Sequence, residues 1–136
     1  MNSFAEKLIN QKGKQFYAGP LPEELIRGKV GDCFDWCLAL AKMFPKYKYV
    51  EGGAFINGEW HHHAWLTEDG KTALDPTWSA KTKEGKYIPL TMVHYVGVVM
   101  DNDAVMEFVL KTGYKAILKN HYRNHELAKK IYDTTL

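Results

Sequence analysis

The chain has 136 residues, of which 46% are hydrophobic and 25% are charged. That composition is typical of a single globular domain and excludes a disordered chain. The formal net charge is only +2, and basic residues alternate with acidic ones instead of forming blocks, so we expect no nucleic-acid partner. No apolar run approaches the roughly 18 residues of a membrane span.

Two further observations concern the compartment. The first residues, Met1–Lys7, lack the basic and then apolar pattern of a secretory signal. The chain has two cysteines, Cys33 and Cys37, which are too few for a disulfide framework. We therefore expect one domain over residues 1–136 in the reducing cytoplasm, with no membrane attachment.

The N-terminal third predicts two helices. The first covers about Phe4–Gln11, and the glycines and prolines that follow it predict irregular chain. The second starts after Asp32, which is a suitable N-cap, and is ended by Pro45. Its expected buried stripe, at helical spacing, is Phe34, Cys37, Leu38 and Ala41.

The middle of the chain predicts an antiparallel sheet. One strand is expected over residues 46–56, and Asn57-Gly58 is a strong hairpin signal that returns the chain as a second strand, Glu59–Leu66. A short third strand is expected over residues 72–75. Gly52-Gly53 predicts a bulge or a close backbone approach. The fold class predicted is α+β, with the N-terminal helices packed on this sheet.

The C-terminal half is less regular. We expect a loop over residues 77–86, a β-rich run over residues 87–100, a helix over residues 104–111 and a last helix over about residues 124–132.

Three residues from these elements suggest nucleophilic catalysis. Cys33 lies in the first turn of its helix, where free N–H groups and the helix dipole favour the reactive thiolate. Strand alternation places His61 and His63 on one face and His62 on the other. With Asp75 on the next strand, Cys33 and His63 complete the pattern of a nucleophile, a base and a group that orients the base.

Three short motifs occur in order along the chain: Gly31-x-Cys33-x-Asp35, His63-Ala64-Trp65 and Asp75-Pro76-Thr77. Their order and spacing resemble the transglutaminase-like branch of the papain-like cysteine enzymes, over about residues 29–78. The resemblance implies a papain-like/transglutaminase-like core and a thioester formed on Cys33. It also implies that His63 transfers protons, that Asp75 orients it, that no cofactor is required, and that the substrate is a protein or peptide.

The resemblance also implies an oxyanion hole. The backbone N–H of Cys33 would supply one donor. Gln15 or Tyr17, which precede the cysteine, would supply the second, and Trp36 is expected to bind substrate. Cys37 is expected in the core, as a small apolar residue.

Two other interpretations of the sequence stay open. In the first, His61 and His63 belong to a metal-dependent hydrolase. Further ligands would come from His94, Asp75, His121 and His125. In the second, the chain is a non-catalytic module of the same fold that binds peptides. The oligomeric state is left open.

Overall fold

The computed structural model describes residues 3–25, 28, 31–81, 83–85, 87–89 and 93–133. The helices are α1 (Ser3–Lys12), α2 (Cys33–Met43), α3 (Asn102–Thr112), α4 (Ile117–Asn120) and α5 (His125–Asp133), with a 3₁₀ turn at His121–Arg123. The strands are β1 (Lys14–Ala18), β2 (Lys48–Ile56), β3 (Glu59–Thr67), β4 (Thr72–Ala73), β5 (Ser79–Lys81), β6 (Tyr87–Pro89) and β7 (His94–Met100).

Five of these strands form one sheet in the order β3-β2-β7-β1-β4. The α+β class is confirmed, but the sheet is mixed because β1 and β4 run parallel while the other neighbours are antiparallel. The prediction of a purely antiparallel sheet is therefore wrong at one pair. The sheet curls until β3 approaches the end of β4, where Leu66 and Leu74 exchange backbone hydrogen bonds of 3.0 and 2.8 Å.

The predicted hairpin is confirmed. Asn57 and Gly58 both have positive φ, 52° and 79°, as a type I′ turn requires. This turn sets a register in which Gly52 lies opposite His63 on β3 and opposite Gly97 on β7. A Cβ on Gly52 would lie 2.1 Å from the carbonyl oxygen of Val96. The expected close backbone approach is therefore present.

The sheet has two differently packed faces. We call them the Trp65 face and the helix face. The Trp65 face carries a buried cluster made of Phe16, Val50, Ala54, Trp65, Ala73 and Tyr95. The helix face carries Tyr49, Ala64, Leu66, Val98 and Met100 in the larger core, which also includes side chains of α2 and α3. His63 belongs to the Trp65 face because it alternates with Ala64 along β3.

Helix α2 begins at Cys33, as predicted, but two details differ. The Asp32 carboxylate makes no capping hydrogen bond; its backbone carbonyl instead accepts from the Trp36 N–H at 2.9 Å. The buried positions are Cys33, Cys37, Leu40 and Ala41. Phe34 and Leu38 are only half-buried, because the helix faces β3 through Cys37, whose thiol donates to the Ala64 carbonyl at 3.5 Å.

The rest of the chain agrees in part with the sequence. The first helix, the helix after Asp101 and the last helix are confirmed. The loop expected over residues 77–86 is wrong at Ser79–Lys81, which pairs with β6. Residues 82, 86 and 90–92 of the predicted loop and β-rich run lie outside the described residues. Across the described ranges, no helix has both the length and the apolar character that crossing a membrane would need.

Candidate active site

The three side chains singled out by the sequence come from three elements that meet at one corner of the sheet. Cys33 is the first residue of α2, His63 lies within β3, and Asp75 follows the Leu66–Leu74 bridge that holds the end of β4 beside β3. The His63 Nε2 lies 2.8 Å from the Asp75 Oδ2, and the Cys33 thiol interacts with the same ring. With Nε2 occupied by Asp75, Nδ1 is the ring nitrogen left for the sulfur.

The site is buried, and His63 and Asp75 form an ion pair within it. Cys33 is 5% exposed, His63 2% and Asp75 4%. Burial alone would lower the pKa of His63, but the hydrogen bond and charge of Asp75, with a smaller contribution from Cys33, raise it from 6.5 to about 9. His63 is therefore an imidazolium at neutral pH, held between a carboxylate and a sulfur.

The Asp75 carboxylate is fixed by its own turn. Its Oδ1 accepts from the Thr77 N–H and the Trp78 N–H, both at 3.2 Å, and from the Thr77 hydroxyl at 3.3 Å. This is an Asx-type turn, in which the side chain holds the backbone two and three residues ahead. The Asp-Pro-Thr motif therefore aims the second oxygen, Oδ2, at His63.

Trp78 covers the His63 ring. The two rings are stacked, with centroids 4.0 Å apart and planes inclined by 28°. His61 meets the same indole edge-on at 5.5 Å, so His61 and His63 share one face as predicted. His62 points to the other face, where its ring contacts Phe34 and its Nε2 lies 3.5 Å from a Glu51 carboxylate oxygen.

The two predicted oxyanion-hole donors, Gln15 and Tyr17, lie on β1. Gln15 and Tyr17 alternate with the buried Phe16 on β1 and are exposed, Tyr17 by 66%. Within the described part of the chain, neither side chain forms a hydrogen bond to Cys33. Their role in the oxyanion hole stays a prediction.

Trp36 lies beside the chain that precedes the cysteine. Its ring packs so closely on Gly28 that a Cβ there would lie 2.5 Å from the indole Cγ. The Gly28 N–H in turn donates to the Pro76 carbonyl at 3.0 Å. Gly28 thus lies between the Trp36 ring and the Asp75 turn. The contact of Trp36 with substrate stays a prediction.

Cys37 is a core residue, as predicted. It is fully buried, and burial, followed by the nearby charge of Asp75, raises the pKa of its thiol well above the ordinary value. Its thiol is therefore held in the unreactive, protonated form.

The metal interpretation gains no support from the geometry. Among the residues that the structure describes, no three His, Cys, Asp or Glu side chains are grouped so that they could hold a metal ion. His121 and His125 do lie near each other, with ring centroids 6.3 Å apart. His63, however, already has Asp75 and Cys33 as partners.

One residue of the site was missed in the sequence. Tyr95 on β7 donates its hydroxyl hydrogen to the Asp75 Oδ2 at 2.7 Å. No motif marks it. The only available signal was parity, because Tyr95 lies opposite Ala54 and so belongs to the Trp65 face.

Comparison of the chain with protein-family models, with curated proteins and with solved structures finds no match. The resemblance to the transglutaminase-like enzymes therefore stays a prediction that rests on motif order.

Proposed function

We propose that this protein is a cysteine-dependent hydrolase or acyltransferase that acts on an amide of a protein or peptide, through a thioester on Cys33. One observation carries the proposal: His63 contacts the Asp75 carboxylate at 2.8 Å, and Cys33, the first residue of α2, is near enough to contribute to the raised pKa of His63. A nucleophile, a base and an orienting acid in this arrangement support acyl transfer.

The proposed reaction starts from a Cys33 thiolate paired with the His63 imidazolium. The sulfur attacks the amide carbonyl, a C–S bond forms, and the negative charge moves to the carbonyl oxygen, beside the Cys33 backbone N–H. The His63 proton passes to the leaving nitrogen as the C–N bond breaks, which leaves a thioester and a neutral imidazole. Water or an amine then attacks the thioester while His63 takes up its proton, and the thiolate is released.

The surroundings of His63 suit this role. Asp75 stabilises the imidazolium without taking its proton, and Trp78 stacks on the His63 ring. A buried ion pair that lost either partner would leave an uncompensated charge, so each group holds the other in position.

The proposal is tested by alkylation. Iodoacetamide at mildly acidic pH, followed by peptide mass mapping, should modify Cys33 selectively, with Cys37 as the internal control. The same reaction in denaturant should modify both cysteines, and Cys33→Ala should leave the native chain unmodified. If native Cys33 reacts no faster than native Cys37, the thiolate is absent and the proposal is wrong.

A second test asks for turnover. The wild-type chain is incubated with a panel of peptides that carry scissile peptide, isopeptide and glutamine side-chain amides, and the intact protein is examined by mass spectrometry after acid quench. A mass increase confined to Cys33, and lost in Cys33→Ala, supports the acyl-enzyme. Peptide binding by calorimetry without any acylation or product supports the non-catalytic binding module instead.

A further inference from the structure

Two donors converge on one oxygen of Asp75. The Oδ2 atom lies 2.8 Å from the His63 Nε2 and 2.7 Å from the Tyr95 hydroxyl oxygen. The other oxygen is already taken by the Asx turn at Thr77 and Trp78. His63 and Tyr95 therefore share the same acceptor atom, whose two lone pairs allow both contacts at once.

We propose that Tyr95 is a positioning residue of the site: its hydroxyl holds the Asp75 carboxylate and limits how strongly that carboxylate retains the proton of His63. The role of Tyr95 in the reaction rests on the proposed function. The hydrogen bonds themselves are a property of the protein without substrate.

The physical basis is the sharing of a hydrogen-bond acceptor. A donor to a carboxylate stabilises its charge and reduces what it offers to a second donor. The Tyr95 hydroxyl therefore stabilises the anion more when His63 is neutral than when it is an imidazolium. Tyr95 therefore lowers the pKa of His63 below the value that Asp75 alone would give. His63 is still charged at neutral pH, but it releases its proton more readily.

Tyr95 is suited to this role because it does not ionise. It is 1% exposed, and its ring packs against Trp65 with centroids 4.9 Å apart. Burial, followed by the charge of Asp75, raises the pKa of the Tyr95 phenol well above its ordinary value. It is thus a fixed neutral donor over the whole range in which His63 titrates.

The chain contains a matched control. Tyr49 is also 1% exposed, lies on the same sheet, and donates its hydroxyl hydrogen to a buried carboxylate oxygen, the Glu51 Oε2, at 2.6 Å. Tyr49→Phe and Tyr95→Phe each remove one buried phenol hydroxyl. Only Tyr95→Phe removes one that shares an acceptor with His63.

The experiment is a titration of the His63 ring by NMR in protein labelled with ¹⁵N-histidine, with the signal assigned by its loss in His63→Gln. We expect Tyr95→Phe to move the His63 midpoint upward by about 0.5–1 pH unit. Tyr49→Phe should leave it unchanged, and Tyr95→Phe added to Asp75→Asn should have little further effect. An unchanged or lowered midpoint in Tyr95→Phe overturns the inference.

The titration of His63 tests the role of Tyr95, and the alkylation of Cys33 tests the proposed function, so either proposal can be wrong without the other. If wild-type Cys33 is unreactive while the midpoint of Tyr95→Phe rises, the proposed function is wrong but the effect of Tyr95 on Asp75 and His63 is confirmed. If Cys33 is selectively alkylated while the midpoint stays in place, the enzyme proposal holds and the role of Tyr95 is purely structural.

Discussion

The protonation of His63 should make folding stability fall at alkaline pH. In the unfolded chain this histidine titrates near 6.5, and in the folded chain its pKa is raised to about 9. A group whose pKa is higher in the folded state stabilises that state fully below the unfolded pKa, and the contribution disappears as the pH rises through the folded pKa. At roughly 1.4 kcal/mol per pH unit, the rise from 6.5 to about 9 corresponds to about 3.5 kcal/mol in total, of which about 3 kcal/mol is still present at pH 6.5.

The assay is denaturant unfolding of the wild type and of His63→Gln, at half-unit steps from pH 6 to pH 10. Other groups titrate over this range, so the informative quantity is the difference between the two proteins at each pH. We expect the wild type to lose about 3 kcal/mol more than His63→Gln between pH 6.5 and pH 9.5. An exposed histidine supplies the control, because His94→Gln should follow the wild-type curve.

One result would refute this account of the site. If the wild type and His63→Gln lose the same free energy of unfolding over this range, His63 is not held as an imidazolium by Asp75. The reaction proposed for Cys33 would then lack its proton donor.

Single substitutions at Asp75, Glu51, Gly52 and Asp35 each change one contact whose effect can be measured. Asp75→Asn removes the charge that raises the pKa of His63, so the NMR midpoint of the ring should fall by at least about one unit. Glu51→Ala leaves the buried N–H groups of Ile117 and Leu118 and the Tyr49 hydroxyl without their acceptor. It should lower the free energy of unfolding in urea by about 3 kcal/mol or more. Glu59→Ala, at an exposed site, is the control and should lower it by less than about 0.5 kcal/mol. Gly52→Ala places a Cβ against the β7 backbone and should lower the free energy of unfolding by more than about 2 kcal/mol. Gly58→Ala is the control: with φ of 79° and open space around it, it should lower that free energy by only about 1 kcal/mol. Asp35→Asn breaks an exposed ion pair with Lys115 and should change stability by less than about 1 kcal/mol, since water screens such pairs.

The elements that the sequence predicts well are those determined by residues adjacent to one another in the chain. The I′ turn at Asn57-Gly58 is predictable because only two residues determine it, and the start of α2 because the apolar spacing begins there. Strand β1 was missed because its five residues lie between Gly13 and Gly19 and contain a single buried side chain, Phe16. Its pairing partners, β7 and β4, are distant in sequence, so no local pattern reveals it.

The same distinction holds for the site. Cys33, His63 and Asp75 are predictable as a set, because each lies in a short motif with its own chemistry. Their contacts are not predictable, since they depend on how far the sheet curls. The capping role given to Asp32 was wrong because the backbone carbonyl, not the carboxylate, meets the first turn of α2. Tyr95 was missed because its partner, Asp75, lies 20 residues away in the turn that follows β4.

The curl of the sheet is what turns three separate motifs into one site. His63 is on β3 and Asp75 follows β4, and these strands are at opposite ends of the strand order. They meet only because Leu66 and Leu74 bridge the gap, which places Asp75 beside the strand that carries His63. Tyr95 approaches from the middle of the sheet and holds the same carboxylate. The His63–Asp75 contact therefore depends on the closure of the whole sheet.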